Sequence, residues 1–227
     1  MKLIFDIAEP DTSQLERKIL WATYYHIWHA TETPSGPPLL DESNQPISGR
    51  ISEYDWCKGA IEGTIQIKRT DGSVKTYNHA DDTGANQVDC ASVLGISPSE
   101  KPWITAIGKS RYRVAQGTYG DGVMNYKLIP YRTIAVDEAA IPYGSVVYIP
   151  KARGVAISLP SGASVMHDGF FFAADTGAMK GNHIDVFAGL SETNPFPGFV
   201  KNSYKHTFEA FLVRDPSIIQ KLKSIHE

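Results

Sequence analysis

The chain reads as a mainly β protein built around a closed or nearly closed barrel, and three observations carry that reading. Strand-like runs crowd its second half at short spacing, over 126–137, 145–150, 169–175, 183–187 and 206–214. Helical periodicity is limited to short stretches near residues 11–19, 52–63 and 216–226. At 227 residues and 42% hydrophobic the chain can bury a full core, and many short strands need closure to protect their edges.

Taken in order, Asp11, Thr12 or Ser13 caps one or two helical turns over 11–19, with Leu15, Ile19 and Leu20 as apolar positions. The β-branched and aromatic run 20–28 predicts one strand. From Ala30 to Arg50, Pro, Gly, Ser and Asn predict a long surface loop able to line a cleft. Residues 51–63 predict a short helix: Ser52 and Asp55 resemble a capping box and Gly63 stops it. Alternation over 64–69, a turn at Asp71-Gly72 and the return 74–77 make a hairpin. Residues 78–102 are polar and turn-rich, 103–108 predict a short strand, and 117–122 a loop. A last amphipathic helix over 216–226 presents Ile218, Ile219, Leu222 and Ile225 on one face.

Composition narrows the partners. A formal net charge of −3 supplies no phosphate-tracking surface, so nucleic acid is not an expected partner. Eleven Tyr and four Trp suit either a β-core or the stacking of sugar rings. Cys57 and Cys90 fit no zinc spacing and stand as either one disulfide or two buried thiols. The opening segment is interrupted by Asp6 and Glu9, so it is not expected to be a signal peptide, and no stretch reaches membrane-span length. Oligomeric state is left open.

The stretch 170–187 needs a chemical explanation. Two apolar runs each deliver a carboxylate, Asp175 and Asp185, to one glycine-containing loop. A carboxylate at the end of a buried strand must be solvated, hydrogen-bonded or protonated. Asp175-Thr176-Gly177 has the form of an aspartic peptidase triplet, and Asp82-Thr83-Gly84 repeats it. The second copy follows a polar segment and the lobes are unequal, whereas that mechanism needs two equivalent carboxylates. Asp82 is therefore read as a loop residue. His167, Asp168 and His183 are weak metal candidates, with surface or turn roles expected instead.

Asp137, Asp175 and Asp185 each lie in or at the end of a strand. The ordered set Ile-Ala-Val-Asp137, Ile-Pro-Tyr-Gly144, Ala-Ala-Asp175-Thr-Gly and Lys180-Gly-Asn-His-Ile-Asp185 resembles the three-aspartate domain of the membrane-bound lytic transglycosylase A family, over roughly 126–214. Asn-His-Ile-Asp185 is also similar to the His-Phe-Asp of expansins, and Ala22-Thr23-Tyr24-Tyr25 to the family's opening Thr-Gly-Tyr-Tyr. The resemblance implies a double-psi β-barrel, with 1–125 holding a barrel strand and groove-forming elaborations and 126–227 the three-aspartate portion, together one compact domain. It implies cleavage of the β-1,4 bond between N-acetylmuramic acid and N-acetylglucosamine without water, in the periplasm or outside the cell, with glycan strands as partner and no cofactor or metal. Asp185 falls on the proton-carrying position and Asp175 on its support. Asp137 is structural, and Thr23, Tyr24, Tyr25, Lys180 and His183 are candidates for holding substrate. Two departures stand out: the loop from Asp175 to Asp185 has one glycine fewer, and the family's large inserted domain is expected to be missing. An expansin-like binding module and a hydrolytic muramidase are the rival readings.

Overall fold

The computed structural model describes residues 5–227. In chain order it has β1 (Glu16–Tyr25), β2 (Trp28–Thr31), β3 (Pro38–Leu40), β4 (Pro46–Arg50), α1 (Glu53–Glu62), β5 (Thr64–Lys68) and β6 (Val74–Asp81). There follow α2 (Cys90–Leu94), α3 (Ile104–Ile107), β7 (Arg111–Val114), β8 (Thr133–Val136), β9 (Val146–Tyr148), β10 (Ala156–Ser158) and β11 (Ser164–Met166). β12 (Phe170–Asp175), β13 (His183–Phe187), β14 (Phe208–Val213) and α4 (Pro216–His226) complete it. The chain divides into two compact units: residues 27–120 form one, and the segments on either side of them form the other. This division differs from a boundary at residue 125.

The unit made of both chain ends is a closed barrel in the order β1-β13-β8-β12-β9-β14. β1 serves two partners, its first half antiparallel to β14 and Trp21–Tyr25 parallel to β13. That pairing starts the strand at Glu16, so the helix expected over 11–19 shrinks to one 3₁₀ turn, Thr12–Gln14, capped by Asp11. Inter-strand hydrogen bonds outweigh a weak local helical preference here.

Alternate residues of all six strands, among them Leu20, Ala22, Ile134, Val147, Phe171, Ile184, Val186 and Ala210, build the main core. A second core takes the other side of β12, where Phe170, Phe172 and Ala174 meet Leu222 of α4. Burial on both faces explains why Phe170–Ala174 is continuously apolar rather than alternating. The C-terminal helix has the bounds expected, with Asp215 accepting from the Ser217 N–H at its start. Buried His226 pins its end: Nδ1 donates to Leu222 O (2.7 Å), Nε2 faces Thr133 Oγ1 (3.2 Å), and the ring stacks on Phe172.

His167 and Asp168 are buried instead of lying in a surface turn. Asp168 takes a bidentate pair from Arg132 (2.5 and 2.7 Å), and it also accepts from the Ile7 N–H. Both His167 nitrogens are engaged, Nε2 donating to Tyr131 O and Nδ1 accepting from the Gly169 N–H, which leaves no lone pair for a metal. Among the described residues no group of His, Cys, Asp and Glu could hold a metal ion.

The unit of residues 27–120 carries a four-stranded sheet, β2-β5-β6-β7, and its own core of Trp56, Ile65, Ile67, Tyr77, Val88, Ile104 and Tyr112. It overturns the expectation of a missing second domain. The run 20–28 is not one strand: it breaks after Tyr25, and β2 pairs in parallel with β5 of the other sheet. The expected loop 30–50 contains the antiparallel pair β3 and β4. Helix α1 forms as read, with Ser52 accepting from the Asp55 N–H and Gly63 in the left-handed region at its end. The hairpin β5–β6 also forms as read. Residues 103–108 are helical over Ile104–Ile107, where Pro102 opens a turn of helix that buries Ile104 and leaves Trp103 outside. Cys57 and Cys90 form a disulfide that ties α1 to α2. Asp82 is taken up by Ser110 Oγ (2.8 Å) and His79 Nε2 (2.9 Å). Among the described residues no helix is long and apolar enough to cross a membrane.

Candidate active site

Because side chains alternate along a strand, Ile184 and Val186 in the main core send Asp185 to the opposite face. The same rule puts Trp21, Thr23 and Tyr25 on that face of β1. Parallel register then aligns three cross-strand pairs: Trp21 with His183, Thr23 with Asp185 and Tyr25 with Phe187. Each pair is in contact. The Trp21 and His183 rings stack at 3.6 Å and 6°, Thr23 Oγ1 donates to Asp185 Oδ1 (2.8 Å), and the Tyr25 and Phe187 rings lie 5.0 Å apart.

The transverse row continues through the barrel wall. Asp185 pairs with Ala135 of β8, and Ala135 with Asp175 of β12, where a register shift between Ala173 and Asp175 resets the strand. A bulge of this kind re-aims a side chain. Tyr25 Oη donates to Asp175 Oδ2 (2.6 Å), and the Thr176 N–H donates to Oδ1 (2.9 Å). Two hydroxyls, two residues apart on β1, therefore hold the two carboxylates.

The environment gives these groups different protonation behaviour. Burial lifts the Asp175 carboxyl to about 6, although the Tyr25 hydroxyl and the Thr176 N–H pull the other way. Burial, then the Asp175 charge, pushes the Tyr25 phenol well above its ordinary range, so it remains a donor. Burial holds His183 below the usual imidazole range. Its Nε2 lies 2.8 Å from Thr23 Oγ1, and since the hydroxyl proton is directed at Asp185, Nε2–H is the donor.

The remaining sequence candidates fall elsewhere. Tyr24 points to the other side of β1, packs on the main core and donates to Glu192 O (3.1 Å), so it is not brought to the carboxylate row. Lys180 is exposed on the loop joining the two aspartate strands. Asp137 clamps that loop, accepting from the Gly181 N–H (2.8 Å) as well as the Ala139 N–H (3.1 Å); these backbone donors lower its pKa. Gly181 is in the left-handed region (φ 59°), which a glycine adopts without strain. Trp21 escaped the sequence reading. Its signal was the matched period-two pattern of Trp21-x-Thr23-x-Tyr25 and His183-x-Asp185-x-Phe187.

One segment of the barrel therefore carries Asp137, Asp175 and Asp185 on three of its strands or their ends. Residues 132–205 match the family model of the 3D domain. Thr23 and Tyr25, which hold its carboxylates, come from outside the matched segment. No curated protein matches in sequence. Among solved structures, the chain is similar to E. coli MltA with bound chitohexaose, at 17% identity over 86% of this chain and 72% of that one, with a TM-score of 0.55. It is also similar to the membrane-bound lytic murein transglycosylase from Agrobacterium tumefaciens, at 14% identity over 89% of this chain and 76% of that one, with a TM-score of 0.54. At these identities the likeness speaks for the fold, and it extends well beyond the 3D domain. The expected architecture holds: mainly β, a closed six-stranded barrel of the double-psi kind, and a C-terminal helix.

Proposed function

We propose that the protein is a peptidoglycan lytic transglycosylase, cutting the β-1,4 bond between N-acetylmuramic acid and N-acetylglucosamine and leaving a 1,6-anhydro end. The observation that carries this reading is the carboxylate row of the 3D domain, in which β1 hydroxyls hold Asp185 and Asp175 on the face away from the main core. Asp185 is the proton carrier. In its acid form it delivers a proton to the glycosidic oxygen as the bond to the anomeric carbon breaks. The resulting carboxylate then takes the proton of the muramic 6-hydroxyl as that oxygen closes on the anomeric carbon. Asp185 ends protonated, and no water is consumed.

Asp175 supports the positive charge that develops at the anomeric carbon, a role its ionised form fills above about pH 6. Its site favours the neutral acid more than water does, and the Tyr25 hydroxyl partly restores the charge. Lys180, on the loop between the carboxylates, suits the anionic peptide or lactyl groups of a muramic unit.

The buried Cys57–Cys90 disulfide supports work in an oxidising compartment outside the cytoplasm, where the wall lies. The solved MltA complex with chitohexaose supports a glycan as ligand. The expansin-like alternative drew strength from an absent second domain, and the compact unit of residues 27–120 removes that support. Digestion of purified sacculi followed by mass analysis tests the reaction: 1,6-anhydro ends are expected, reducing ends would indicate a muramidase, and no release would indicate a binder.

A further inference from the structure

We infer that Trp21, His183 and Thr23 form a positioning array that fixes the direction of the Asp185 carboxyl, with Trp21 setting the plane of the His183 ring. This deepens the reading of Asp185 as proton carrier and rests on it. Threonine and histidine beside a carboxylate would ordinarily be taken as substrate contacts. Their mutual geometry assigns them otherwise.

A threonine hydroxyl has one proton and rotates freely about its Cβ–Oγ bond. Here the oxygen has two neighbours at the same distance, His183 Nε2 and Asp185 Oδ1, each 2.8 Å away. A donor at Nε2 fills the hydroxyl's acceptor side, which leaves the hydroxyl proton for Asp185 Oδ1. Thr23 thereby holds Asp185 through Oδ1 and sets the direction of its carboxyl. The order His183, Thr23, Asp185 thus fixes one orientation of the carboxyl.

The imidazole can do this only if its ring is held with Nε2 toward Thr23. His183 stands at the first position of β13, next to the exposed loop, where a ring would otherwise turn. Trp21 lies opposite it in register and stacks on it at 3.6 Å and an interplanar angle of 6°. A contact that close and that parallel fixes the ring plane. Both anchors are strand residues facing each other across a parallel pair, a rigid support for a site whose rate depends on placement.

The experiment measures kcat and KM on sacculi for full-length variants, with thermal unfolding as a check on the fold. Thr23→Val and His183→Ala are expected to lower kcat by about 10- to 100-fold, the range for a misplaced reacting group, with KM within about threefold of the parent. Thr23→Ser, which keeps the hydroxyl, is expected to restore kcat to within about threefold of the parent. Trp21→Phe keeps a ring for stacking and stays near parent, whereas Trp21→Ala falls with His183→Ala. If Thr23→Val does not fold, Thr23→Ala takes its place in the comparison with Thr23→Ser.

Unchanged kcat in folded Thr23→Val or His183→Ala, with Asp185→Asn inactive, would overturn the array and leave Asp185 as proton carrier. Losses confined to KM would overturn it too, making these residues substrate contacts. Activity retained in Asp185→Asn would overturn the assignment of the proton carrier, and the array with it.

Discussion

Asp175 and Asp185 are one residue type on neighbouring strands of one barrel, yet their hydrogen-bond partners differ. Asp175 has a phenol and a backbone N–H on its two oxygens and a carboxyl lifted to about 6 by burial. The sign follows directly: above pH 6 its charge is present to support the proposed reaction, and below it the charge is lost. Activity should therefore decline as pH falls through about 6. In Asp175→Asn that acid limb disappears, at a kcat reduced by about 10²-fold, the scale of losing one electrostatic stabiliser. A kcat profile measured between pH 5 and 8 checks this, and an unchanged acid limb in the variant would assign it to another group. At this scale the sequence exposed the three aspartates, because strand ends bearing carboxylates stand out among apolar neighbours, while Thr23, Tyr25 and His183 entered as candidates through the family resemblance. It did not expose the pairing of Trp21 with His183, because register between strands some 160 residues apart is set by closure of the barrel. Tyr24 shows the same limit from the other side: adjacent in sequence to Thr23 and Tyr25, it faces the core by strand alternation.

Local chemistry predicted elements well at three caps and turns. Ser52 and Gly63 bound α1, Asp71-Gly72 turns the β5–β6 hairpin, and Asp215 with Pro216 starts α4. The misreadings came where tertiary pairing decided, at Glu16–Ile19 drawn into β1 and at residues 103–108 turned into helix. Helix α4 carries a prediction of its own. Burial holds the His226 imidazole at about 4, and His167 at about 3, so both are neutral in the folded state. The unfolded chain protonates them below about pH 6.5, so stability is lost as pH falls from there toward the folded values. At pH 5 the His226 part of that loss is about 2 kcal/mol. Urea unfolding at pH 7 and pH 5 should show the parent losing that much more than His226→Gln. Equal losses would contradict a neutral, buried His226.

At the scale of the molecule, the chain leaves the barrel after β1, completes a unit with its own sheet and core, and returns for the remaining five barrel strands. That nesting was hidden in the sequence because the inserted unit's strands are short and its helices α2 and α3 have five and four residues. Its Cys57–Cys90 bond spans 33 residues, a pairing that composition alone left open. A loop of that size restricts the unfolded chain by about 3 to 4 kcal/mol. Replacing both cysteines with alanine should lower the unfolding free energy by roughly that amount, measured by denaturant titration under non-reducing conditions. The barrel, by contrast, was legible through its density of strand signals and its ordered aspartates.

The most direct test of the whole account is the soluble product of sacculi digested by the parent protein and by folded Asp185→Asn. The parent should release muropeptides with 1,6-anhydro ends, and Asp185→Asn should release none above background. Reducing ends from the parent, or anhydro products persisting in Asp185→Asn, would contradict it.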